Sequence, residues 1–119
     1  MKAPREADNG WEKAISRYFH ANNIPVTWEY QTRRFEGLPG FEICRINPKA
    51  ATEEAVWTRM PDHIRSFERR QRDSRQSLLI LVTNRQYGDS VDDSIVVTRL
   101  GSYVQLLKAF IDKEPERYR

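Results

Sequence analysis

The chain has 119 residues, 39% of them hydrophobic and 31% charged, which is enough apolar material for one packed core and too much for a disordered chain. Twenty basic residues face seventeen acidic ones, a net charge of +3 with a pI near 9.2; fifteen of the twenty are arginine, the side chain that grips phosphate or carboxylate with a planar fork. No run of 18 apolar residues offers a membrane span, the opening MKAPREADNG lacks the apolar region of a secretory signal, and the single cysteine, Cys44, precludes an internal disulfide, so a cytoplasmic protein is expected.

Residues 1–8 are polar and expected to be flexible, leaving 9–119 as a single domain. NGWEKAISRYFHANN predicts a helix. Asn9 and Glu12 have capping-box spacing, and Trp11, Ile15, Tyr18 and Phe19 share one face. Asn22 and Asn23 suit its exit, and Pro25 stops it. Val26, Trp28 and Tyr30 then alternate with polar residues, as in a strand with one buried face. EGLPG supplies a turn and FEICRI resumes the strand, so the two are expected to form a hairpin.

AVWTRM, residues 55–60, reads as a third strand on the β-preference of Val56 and Trp57. The competing pattern is a helix capped by Asn47 and Pro48 and kinked at Pro61, with Trp57, Met60, Ile64 and Phe67 on one face. PDHIRSFERRQRDSR, 61–75, predicts a second helix with Ile64 and Phe67 inward. SLLILVTN is a continuous apolar run of the kind found in a central strand covered on both faces. RQYGDSVDD is a loop whose three aspartates are read as solvated, and SIVVTRL is a further strand. GSYVQLLKAFIDKEP is a closing helix with a capping box at Ser102 and Gln105 and a buried stripe of Tyr103, Leu106, Leu107, Phe110 and Ile111. The expected fold is α+β, in the order α-β-β-β-α-β-β-α, with a central mixed sheet flanked by helices and all three tryptophans in the core.

Arginine density singles out the second helix. Arg59, Arg65, Arg69, Arg70, Arg72 and Arg75 outnumber Asp62, Glu68 and Asp73 by three charges. Pairs Glu68–Arg72 and Arg69–Asp73 are expected at helical spacing. Arg33 and Arg34 beside Phe35 add a basic-aromatic cluster of the type that holds a single strand by phosphate contact and stacking, although a Phe tucked against the core is the simpler reading. His20, His63 and Cys44 lack ligand spacing, so no structural zinc is expected.

The element order resembles the PD-(D/E)xK restriction-endonuclease superfamily. WEKAISRYFHANNI resembles its first helix, with Glu12 where some members carry an accessory carboxylate; LPGFEI resembles the metal-binding segment, with Glu42 in place of Asp; AVWTRM stands where the E-x-K strand would be. The resemblance implies a Mg²⁺-dependent nuclease built on Glu42, Glu54 and Arg59. AVWTRM carries neither an acid nor a lysine, however, and such chemistry needs two carboxylates on the metal. The implied function is therefore a non-catalytic, cofactor-free protein that binds DNA or RNA through Arg33, Arg34, Arg65, Arg69, Arg70, Arg72 and Arg75. The same order also resembles the dimeric chaperones of type III secretion effectors. That likeness leaves open a homodimer or a protein partner, as would a phage or mobile-element inhibitor or an immunity protein; the chaperones are acidic as a rule and this chain is basic.

Overall fold

A computed structural model describes residues 10–46, 53–83 and 91–113. Within them the chain is α+β, in the expected order. Helix α1 (Gly10–Ala21) precedes three strands, β1 (Thr27–Glu29), β2 (Arg34–Glu36) and β3 (Phe41–Ile46). A broken helix follows, α2 (Glu53–Thr58) and α3 (Met60–Arg69). Strands β4 (Ser77–Val82) and β5 (Ile95–Val97) lead to the closing helix α4 (Leu100–Lys113).

β4 is the centre of the molecule because both its faces are apolar. It pairs in parallel with β3, Phe41 opposite Ser77 through Ile46 opposite Val82, and antiparallel with β5, Ile80 opposite Val97. Alternation along the strand sends Leu78, Ile80 and Val82 to one face, where they bury Val56, Met60 and Ile46 with Ile64 and Phe67 packed alongside. Leu79 and Leu81 go to the other face and meet Ile15 of α1, Val26, Phe35 and Ile43. Each fully buried aliphatic side chain contributes roughly 1.5–3 kcal/mol relative to an exposed one, so β4 joins two cores into one domain.

α1 ends where Asn23 takes a left-handed conformation, φ 62°. The Ile24 amide reaches back to the Phe19 carbonyl at 2.9 Å and the Asn23 amide to His20 at 3.0 Å, closing the orphan carbonyls in a Schellman pattern. The buried face holds Trp11, Glu12 and Ile15, with Phe19 half-buried, while Tyr18 turns to solvent. The Asn9 cap expected for this helix lies outside the described residues, as do residues 1–8, Asn47, Pro48 and Asp89.

Four expectations are corrected. Residues 53–58 are helical, and 55–60 is not a strand. Val56 and Met60, spaced i and i+4, both face the core, and that packing outweighs the β-preference of single residues. The helix breaks at Arg59 because Pro61 has no N–H with which to continue the ladder to Trp57. Trp57 itself is 41% exposed rather than on the inward face.

The hairpin is also placed differently. β1 pairs with β2, Trp28 opposite Phe35, and the chain reverses at residues 30–33 with Arg33 left-handed, φ 56°, leaving Tyr30 exposed. FEICRI pairs instead with β4. EGLPG joins β2 to β3, and within it a Cβ on Gly37 would sit 1.9 Å from the Pro25 carbonyl oxygen, at φ 104°; only glycine fits there.

α3 stops at Arg69, short of the expected end at 75. The Asp73 carboxylate accepts the Arg75 amide at 3.0 Å and the Gln76 amide bonds the Asp73 carbonyl at 3.1 Å, a side-chain-to-backbone turn that competes with the helix. Finally, the apolar stripe of α4 is not buried. Tyr103, Leu106, Leu107, Phe110 and Ile111 are all exposed, and α4 packs broadly against no other described element.

Candidate nucleic-acid interface

Among the described residues, the edge of β3 that faces away from β4 carries no further ladder strand. The β1–β2 hairpin stands beside it, α1 closes one side, and the end of α3 closes the other. Between them lies a cleft of about 310 Å³ whose lining brings together Arg33, Arg34, Arg45 and Arg70 with only two carboxylates, Glu12 and Glu42. The lining thus carries a net charge of +2.

Two of these arginines frame the cleft. Arg45 Nη1 lies 3.0 Å from Glu12 Oε1, both side chains largely buried. Its Nε donates to Thr83 Oγ1 at 3.1 Å, and its guanidinium lies 5.9 Å from the centre of the Trp11 ring. Burial pulls the Arg45 guanidinium below its ordinary value, opposed by the attraction and hydrogen bond of Glu12. Arg34 reaches from β2 to β3, Nη1 to Glu42 Oε1 at 2.7 Å. Glu42 is buried, so this bond ties the hairpin to the sheet.

The other two arginines are free to meet a ligand. Arg33 has no carboxylate partner among the described residues. Its left-handed backbone, with the amide bonded to the Glu29 carbonyl at 2.8 Å, sets it at the rim. Arg70, just past α3, lies over the Phe67 ring at 5.0 Å and donates Nε to the Ser66 carbonyl at 3.3 Å; among the described residues its two Nη groups meet no carboxylate. Phe35 is buried, edge-on to Trp28 at 4.9 Å, and serves the core rather than a ligand. Cys44 also lines the cleft. Burial first, then Glu42, pushes its thiol up to about 11 against the opposing pull of Arg70 and Arg34, so at neutral pH it is a protonated, unreactive thiol.

Of the seven arginines expected to bind phosphate, Arg33, Arg34 and Arg70 converge here. Arg72 lies outside the cleft and holds Glu36 of β2 at 2.8 Å, Arg75 holds Asp73 at 3.0 Å, and Arg65 bonds Asp62 on the solvent side of α3. Arg69 is exposed without a carboxylate partner among the described residues. The expected Glu68–Arg72 and Arg69–Asp73 pairs do not form, because the helix ends before residues 72 and 73; Glu68 instead takes Arg99. The trio Glu42, Glu54 and Arg59 is not assembled. Glu42 is in the cleft, whereas Glu54 and Arg59 are exposed on the broken helix and do not line it.

Arg45 went unnoticed in the sequence. Its signal was a charge within the otherwise apolar ICRI, at a strand position where a charge needs a partner. Among the described residues no group of three or more His, Cys, Asp or Glu is placed to hold a metal ion, and no helix is long and apolar enough to cross a membrane. In comparisons with known proteins, the chain matches no family model, no curated protein and no solved structure.

Proposed function

We propose that this protein binds single-stranded nucleic acid, with a phosphate seated in the cleft between the hairpin, the β3 edge and the end of α3. The observation that carries this reading is the convergence of four arginines on one cleft with two carboxylates to balance them. Arg33 and Arg70 contact the phosphate. Arg34 and Arg45, each paired with a carboxylate, hold the walls. A volume of about 310 Å³ sits at the small end of ligand pockets and suits one nucleotide-sized group, not a duplex.

Binding without cleavage is the better-supported form of the proposal. Metal-assisted phosphodiester cleavage needs carboxylates free to grip a divalent ion. Glu42 is occupied by Arg34 and Glu12 by Arg45, so each carboxylate already has its cation. Mg²⁺ has a place only if the protein proves to be a nuclease.

The test is anisotropy of labelled single-stranded and duplex DNA and RNA at about 50 and 200 mM salt, where released counterions make phosphate binding fall steeply. Single strands are expected to bind at low salt and to lose at least tenfold in affinity at high salt, roughly the loss for a few phosphate contacts. Arg33→Glu with Arg70→Glu is expected to abolish binding. No binding at the lower salt, or binding indifferent to that double variant, overturns the proposal.

A further inference from the structure

Helix α1 presents to solvent a face that the arginine cleft does not use. Lys13, Arg17 and His20 recur at i, i+4 and i+7, one stripe of the helix, and all three are exposed. Between this stripe and the start of the hairpin runs a shallow groove of about 390 Å³, lined by these three with Ser16, Thr27 and Trp28. Among the described residues no carboxylate lines the groove, and neither Lys13 nor Arg17 has a carboxylate partner. The groove thus carries a charge of +2 with His20 counted neutral.

Its walls are fixed by bonds between α1 and β1. The Trp28 amide donates to the Ser16 hydroxyl at 2.7 Å, and His20 Nε2 is hydrogen-bonded to Thr27 Oγ1 at 2.9 Å. The helix and the strand are therefore joined at two points along the groove, so Lys13 and Arg17 ride on a wall held in place against Trp28. Two like charges one turn apart repel each other, and nothing in the folded core repays that cost. Trp28 also lines the arginine cleft. Half-buried, with its ring edge-on to Phe35 at 4.9 Å, it is common to the cleft and the groove.

We propose that this groove is a second phosphate subsite for the same single-stranded nucleic acid, an inference that rests on the reading of the arginine cleft. One phosphate meets Arg33 and Arg70, the nucleic acid crosses Trp28, and phosphates farther along meet Lys13 and Arg17. A basic track that follows the backbone past an aromatic side chain holds single strands without regard to sequence. Charge complementarity selects a polyanion for a groove with two cations and no acid, and Trp28 makes the groove continuous with the cleft. The bound segment is therefore longer than the single nucleotide-sized group that the cleft alone accepts.

Anisotropy of labelled single-stranded DNA and RNA of about 12 nucleotides, within the range of single-strand site sizes, tests this on the full chain across a salt series. Lys13→Gln with Arg17→Gln is expected to weaken binding at least about tenfold at low salt. The slope of log affinity against log salt should fall in magnitude by about 1.4, two phosphate contacts at about 0.7 each. Lys108→Gln with Lys113→Gln on α4 removes the same charge and should leave affinity and slope unchanged. Acetylation of the wild-type chain guards against a misfolded variant: bound nucleic acid should shield Lys13 and not Lys108. A groove variant with wild-type affinity and slope, an equal loss in the α4 variant, or Lys13 acetylated equally with and without nucleic acid overturns the inference and leaves the cleft standing. A wild type that binds no single strand overturns both.

Discussion

Helices α1 and α4 carry the same kind of sequence pattern and meet opposite fates. Both are amphipathic, and both begin or end next to a strand of the core. α1 lays Ile15, only 1% exposed, against the β1–β2 hairpin and β4, buries Trp11 beside the Arg45 guanidinium, and adds a largely buried ion pair from Glu12 to Arg45. Among the described residues α4 is held at its root, by an exposed ion pair between Arg99 and Glu68 and by the Thr98 hydroxyl on the Leu78 carbonyl, and its apolar stripe is exposed. An apolar stripe thus states that a face must be covered. It does not state by what.

The sharpest way to break the contrast is at the buried pair. Arg45→Met should cost about 3–5 kcal/mol, because it strands a buried carboxylate; Glu12 Oε2 already has no hydrogen-bond partner among the described residues. Adding Glu12→Leu should recover most of the loss. Urea unfolding measures both, and a double variant as unstable as the single would show that the pair is not the source.

A somewhat smaller effect is expected from Ile15→Ala, about 2–5 kcal/mol for a fully buried aliphatic. Leu107→Ala, at 41% exposure, should stay within about 0.5 kcal/mol. Denaturant midpoints make the comparison. Equal losses at the two sites would mean that α4 packs on its own core.

The smallest effect belongs to the root of α4. The hydrogen bond from Arg99 holds the Glu68 carboxyl below its ordinary value, so the folded state binds that proton less readily than the unfolded one. Its contribution is present at neutral pH and is lost as the pH falls through Glu68's depressed value. Thermal melts from neutral to acid should therefore lose slightly more stability in the wild type than in Glu68→Gln, and the difference should shrink with added salt. A difference that grows as the pH rises would contradict the pairing.

How much was legible differs along the chain for physical reasons. β4 was readable because a continuous apolar run has few alternatives, and the inward face of α1 followed from its period. The turn at 30–33 was not, because it has no glycine and relies on Arg33 in a left-handed conformation. The start of the broken helix was misread because Val56 and Trp57 favour strands one residue at a time, while the packing of Val56 beside Met60 is a property of the assembled helix. Of the cleft, Arg33, Arg34 and Arg70 were visible as arginines. Their convergence was not, nor was the separation of Arg65, Arg72 and Arg75 onto nearby carboxylates.

What the amino-acid order alone determined is the α+β class, the succession of elements and the excess of arginine, since these depend on local period and composition. Tertiary structure decided which carboxylate each arginine meets, and so which of them remain available. It also decided that the apolar face of α1 is buried while that of α4 is exposed. Charge pairing and burial are relations between distant parts of the chain, and no local pattern encodes the second party.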